Sequence, residues 1–102
     1  DLKHDAGGMV DIEFMVQFLV LAYSHDHPEL IENRGNIELL RRAASAGLIP
    51  SEAGKAVGDA YRRYRRLQHE IRLNDAERAR VPPATVAVEA GAVKALWQHL
   101  FG

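Results

Sequence analysis

Two acids beside a glycine pair are the first residues in this sequence that could do chemistry. Gly7-Gly8 precedes a long apolar run, with Asp11 and Glu13 close behind. A helix that starts there leaves its first N–H groups without intrahelical partners, and such groups can meet a phosphate. On a helix, side chains two residues apart project about 200° apart, so Asp11 and Glu13 cannot share one metal ion. Asp11 in a first turn gains about 0.3–1 kcal/mol from the helix dipole. A purely structural reading therefore has Asp11 steadying the helix start. It has Glu13 pairing with an arginine of a neighbouring helix, because an unpaired charge on a buried helix is costly.

Tyr61-Arg62-Arg63-Tyr64-Arg65-Arg66 is the second candidate. Arg62, Arg66, His69 and Arg72 fall along one helical stripe, and arginines can bind phosphate bidentately. Interleaved tyrosines could stack on bases. The net charge of −1 hides a division: residues 1–40 carry eight acids and two bases, residues 41–80 ten bases and five acids. A basic half that answers the acidic half of its own domain is the plainer account, and nucleic acid is not expected as a partner.

Metal and nucleophile chemistry find little support. The five histidines include no pair at i, i+4 and no His-Glu-x-x-His, and the chain has no cysteine. Ser24, Ser45 and Ser51 lie outside any strained-elbow context, and there is no Gly-x-Gly-x-x-Gly or P-loop lysine. No catalytic residue and no metal site are expected in this segment.

The elements that must position these residues read as helices. At 102 residues, 47% hydrophobic and 26% charged, the chain has the composition of one globular domain. Met9 to Ser24 is apolar around nearly its whole circumference, which predicts a helix buried on most sides. Asn36 as N-cap and Gly47 at the C′ position frame a second helix. Ser51 as N-cap opens a third, whose Ala53, Val57, Ala60, Tyr64, Leu67 and Ile71 form a heptad seam. Tyr64 thus belongs to a core. Residues 75–85, with Pro82-Pro83, read as a connection, and a final helix offers Val86, Val93, Leu96, Trp97, Leu100 and Phe101 as its buried face. The expectation is an all-α, up-down four-helix bundle, one domain over 1–102, with helices about 8–24, 36–46, 52–74 and 86–101. The longest unbroken apolar run, Phe18–Tyr23, is too short to span a bilayer, and a cytoplasmic location is expected. The chain opens on Asp1 rather than methionine, which suggests a piece of something longer.

Asp1-Leu2-Lys3, Gly7-Gly8, Asp11-Ile12-Glu13-Phe14 and Gln17-Phe18-Leu19-Val20-Leu21 together resemble the glutamine synthetase adenylyltransferase family. The likeness continues through His27-Pro28-Glu29-Leu30, Asn36-Ile37, Ala46-Gly47-Leu48-Ile49, Ala60-Tyr61-Arg62 and Ala95-Leu96-Trp97-Gln98. The resemblance implies the helical domain that follows a nucleotidyltransferase domain, in the C-terminal half of a bifunctional enzyme. That enzyme moves AMP from ATP to a tyrosine of glutamine synthetase and, in a separate half, removes it. Magnesium and ATP are implied for the parent enzyme and not for this segment, which lacks the Gly-Ser…Asp-x-Asp carboxylates. By the same resemblance Lys3, Gly7, Gly8, Asp11 and Glu13 lie near the nucleotide or the domain seam. Partners would be the preceding domain, glutamine synthetase and the PII signalling protein, with Arg62, Arg66 and Arg72 as partner-surface residues.

Overall fold

A computed structural model of the chain describes residues 1–30, 35–73 and 81–102. Among the described residues every regular element is helical. These are α1 (Met9–Tyr23), α2 (Asn36–Ser45), α3 (Ser51–Leu73) and α4 (Ala87–Phe101), with 3-10 turns at Pro28–Leu30 and Pro83–Val86. The expected end of the third helix at Asn74, and residues 75–80 of the connection after it, lie outside the described residues.

α3 is the axis of the fold. Its 23 residues give about 34 Å of helix at 1.5 Å per residue, in a molecule whose longest dimension is 44 Å. α2 and α4 pack along it, and α1 touches all three other helices. The seam read from the sequence is the buried stripe: Val57, Ala60 and Tyr64 are at most 2% exposed. They meet Ile12, Met15 and Leu19 of α1, Leu40 and Ala43 of α2, and Val93 and Leu96 of α4 in one core. Gly54 lets α2 approach closely, since a Cβ there would sit 3.0 Å from the Ala44 Cβ.

The helix ends follow from local chemistry. α2 stops in a Schellman arrangement: Gly47, at φ +78°, donates to the Ala44 carbonyl and Leu48 to that of Ala43, each at 3.0 Å. Two caps differ from the sequence reading. Gly35, not Asn36, is the N-cap of α2, and Asn36 instead donates its amide to the Tyr61 hydroxyl at 3.1 Å, tying α2 to α3. α3 begins at Ser51 itself, with Gly54 donating to the Pro50 carbonyl. In both cases the residue before the polar side chain supplies the first acceptor. On α2, Arg41 and Arg42 clamp Glu38, and these hydrogen bonds hold its carboxyl down at about 2. Arg42 also donates to the Glu29 carbonyl at 2.8 Å. That contact fastens the turn whose Leu30 drops into the core.

α1 departs from expectation. It buries Met9, Ile12, Met15, Val16 and Leu19, but its other side is open, with Phe14 55% and Leu21 75% exposed. The remaining helices lie mainly against one face; on the other, the Trp97 and Phe101 rings of α4 flank Phe14 but leave it more than half exposed. α4 behaves similarly: Val93 and Leu96 are buried, while Phe101 is 36% exposed and Trp97 and Leu100 are half-buried.

Candidate functional site

Residues 1–11 fold into a compact entrance that uses most of its own backbone donors. The Asp1 carboxylate accepts from the Lys3 and His4 N–H groups at 2.8 and 3.1 Å, curling the chain into a turn. That turn aims carbonyls back at the start of α1. Gly8 donates to the Asp5 carbonyl at 2.8 Å, Met9 to Leu2 and Val10 to Lys3, both at 2.9 Å. Gly7 donates to the Asp11 carboxylate at 2.7 Å. Asp11 therefore does steady the helix start, reaching back from the first turn as a capping side chain does. The Gly7, Gly8, Met9 and Val10 N–H groups, which the sequence offers to a phosphate, are engaged.

Both glycines are required by close approach. Gly7 has φ +81°, and a Cβ on it would lie 2.9 Å from the Ala90 carbonyl oxygen of α4. On Gly8 a Cβ would lie 2.7 Å from the Leu2 carbonyl oxygen. The Gly7 carbonyl in turn accepts the Tyr64 hydroxyl at 2.7 Å in a buried hydrogen bond. Burial, with the Glu89 and Asp11 carboxylates nearby, pushes the Tyr64 phenol up to about 12. One dipeptide thus joins the entrance to α1, α3 and α4. Periodicity placed Tyr64 in the core but carried no signal for its hydroxyl bond.

The structure brings Lys3, Gly7, Gly8 and Asp11 together around this knot and leaves Glu13 apart. Lys3 is exposed beside the turn. Glu13 is exposed on α1 and makes no ion pair with any described residue, contrary to the pairing expected of it. No arginine among the described residues forms an ion pair with it.

Within the arginine row, Arg62 pairs on its own helix rather than with the acidic half. Asp59 holds Lys55 at 3.1 Å and Arg62 at 3.4 Å, pairs at i, i+4 and i, i+3 on α3. Arg62 lines a groove of about 480 Å³ between α2 and α3. Arg66 lines a different depression, between α3 and α4, and Arg72 is exposed near the end of α3. Tyr61 and Tyr64 are 8% and 1% exposed, so neither offers a stacking face.

Magnesium with a triphosphate needs grouped carboxylates or a free backbone cradle. Among the described residues no group of three or more His, Asp or Glu side chains could hold a metal ion. With the glycine N–H groups engaged as well, the described residues do not fit that pair of cofactors. Nor is any described helix long and apolar enough to cross a membrane.

A glycine-tied entrance leading into an all-α domain defines a class, and comparison with known proteins specifies it. The chain belongs to the GlnD PII-uridylyltransferase family, whose profile matches residues 1–86. Among curated proteins it is similar to bifunctional glutamine synthetase adenylyltransferase/adenylyl-removing enzymes. The one from Burkholderia mallei is 57% identical over 102 residues, all of this chain and 11% of the relative. Those from Bordetella bronchiseptica and Neisseria meningitidis are 54% identical over 96% of the chain and 43% identical over all of it. The chain thus spans about a tenth of the length of these relatives. No solved structure matches it.

Proposed function

We propose that residues 1–102 form one helical domain of a cytoplasmic bifunctional glutamine synthetase adenylyltransferase/adenylyl-removing enzyme, in its C-terminal half. In this reading the domain supports transfer of AMP from ATP to a tyrosine of glutamine synthetase. Magnesium and ATP belong to the preceding nucleotidyltransferase domain. Lys3, Gly7, Gly8, Asp11 and Glu13 form the side turned to that domain, and none of them is catalytic.

One observation carries the proposal: the entrance is rigidly tied, through Gly7, to α1, α3 and α4. A segment so fixed can hold a neighbouring domain in one orientation, and catalysis depends on such positioning. An up-down order of the four helices is part of this reading, supported by the short 46–50 link between α2 and α3.

The experiment compares AMP incorporation into glutamine synthetase by the 102-residue chain, the full-length enzyme and its Lys3→Ala variant. The chain alone transfers nothing. Lys3→Ala, which removes an exposed side chain, lowers the full-length rate with unchanged thermal stability. Transfer by the isolated chain, or an unaltered rate in the variant, rejects the assigned roles.

A second reading has the domain bind PII or glutamine synthetase without helping catalysis. The exposed Arg66 and Arg72, which have no ion-pair partner among the described residues, favour it. Titrating each protein into the domain and its Arg66→Gln/Arg72→Gln variant tests this. Absence of binding heat with both proteins excludes it.

A further inference from the structure

The outward side of α1 is patterned, not merely apolar. Val10, Phe14, Gln17 and Leu21 follow one another at steps of four, three and four. All four are exposed, three of them large hydrophobics at 38, 55 and 75%. That is the spacing by which one helix packs lengthwise on another at a shallow angle. A helix apolar on all sides is ordinarily buried on all sides, and α1 has met only half of that condition.

Rings from α4 extend the surface. Phe14 lies 5.5 Å from Trp97 and 5.8 Å from Phe101, and Phe18 lies 4.9 Å from Phe101, centroid to centroid. The α1 stripe and the α4 rings therefore form one continuous patch, whereas the exposed Leu73 lies on α3 and the exposed Val88 at the opposite end of α4 from Trp97 and Phe101. Contiguous apolar surface of this kind marks a contact site. Glu13 stands at its edge without an ion-pair partner among the described residues. Phe14 and Gln17 belong to the same stretch that carries the family resemblance, and the fold uses neither in its core.

We propose that the Val10–Phe14–Gln17–Leu21 stripe docks an amphipathic helix from a neighbouring domain of the same polypeptide, with a basic residue of that helix facing Glu13. The inference rests on the reading of the chain as one domain of a longer enzyme. Two observations select that occupant. The relatives that match this whole chain devote about nine-tenths of their length to other sequence, and the heptad step specifies a helix as the complementary shape. A lone carboxylate at the edge asks for a cation across the interface.

Single cysteines placed at the stripe report its burial, because the segment has none of its own. Val10→Cys and Leu21→Cys are compared with Val88→Cys, an exposed position on α4. Each is made in the 102-residue chain and in the full-length protein, and reaction with N-ethylmaleimide is followed by peptide mass spectrometry. The stripe positions react like Val88→Cys in the short chain and at least tenfold more slowly in the full-length protein, where Val88→Cys keeps its rate. Equal rates in both settings overturn the proposal. Protection that appears in the short chain and grows with its concentration also overturns it, assigning the stripe to a second copy instead. AMP transfer by the same full-length protein is scored separately. Protection without transfer refutes the enzymatic reading and leaves the docked helix standing, and transfer without protection does the reverse.

Discussion

Two glycine pairs sit at helix junctions in this molecule, and they do different jobs. Gly7-Gly8 is where irregular backbone passes against α4 and the start of α1. Gly54 and Gly58 lie inside α3, where it crosses α2. At the first pair the nearest neighbours of an added methyl are backbone atoms, 2.9 Å away at Gly7 and 2.7 Å at Gly8. At the second they are mainly side chains, 3.0 Å away at Gly54 and 3.8 Å at Gly58. Backbone cannot step aside, whereas packed side chains can shift a little. The first pair is therefore irreplaceable and the second is adjustable.

The largest expected effect comes from Gly7→Ala. A left-handed backbone costs a residue with a Cβ about 1–2 kcal/mol, and overpacking adds about 1–3 kcal/mol. The variant should lose about 3 kcal/mol in urea unfolding. A loss under about 1 kcal/mol would erase the contrast between the pairs.

Tyr64→Phe comes next, because it leaves the Gly7 carbonyl buried without its donor, at a cost of about 1–2 kcal/mol. It carries a pH signature too. The phenol is raised from 10.0 to about 12 in the fold, so the unfolded chain gives up this proton first as pH rises. Below pH 10 this contribution is constant, and between 10 and about 12 it is progressively lost. In Tyr64→Phe the alkaline decline should be shallower than in the parent chain. Parallel pH–stability curves would remove Tyr64 as its source.

Gly58→Ala has the opposite sign. Its methyl meets only the Ile37 Cγ2 at an ordinary distance, and replacing a mid-helix glycine gains about 1 kcal/mol. A raised melting temperature is the outcome to look for. Gly54→Ala closes the series: the same helical gain is opposed by the Ala44 contact, leaving a net loss below about 0.5 kcal/mol. A Gly54→Ala loss as large as that of Gly7→Ala would make both junctions equally unforgiving.

Four helices, the α3 seam and the glycine stop after α2 were legible because each depends on spacing within one element. The entrance was not. Its donors are consumed by the Leu2, Lys3 and Asp5 carbonyls, which turn back only because the Asp1 carboxylate curls the first residues. An aspartate at the start of a turn was the available signal. Arg62 was read toward distant acids, although Asp59 stands three residues away on its own helix. Glu13 was expected to find a partner because α1 was expected to be surrounded. The step of four, three and four through Val10, Phe14, Gln17 and Leu21 was visible in the letters. Only the packing shows that it points outward.

The Tyr64–Gly7 bond also has a mechanical consequence. It anchors the lead-in segment to the middle of the longest helix, and the Ala90 contact braces it from the side. A polypeptide joined ahead of Asp1 would gain no swivel here. Torque applied to it would pass into α3 and α4 as a rigid lever.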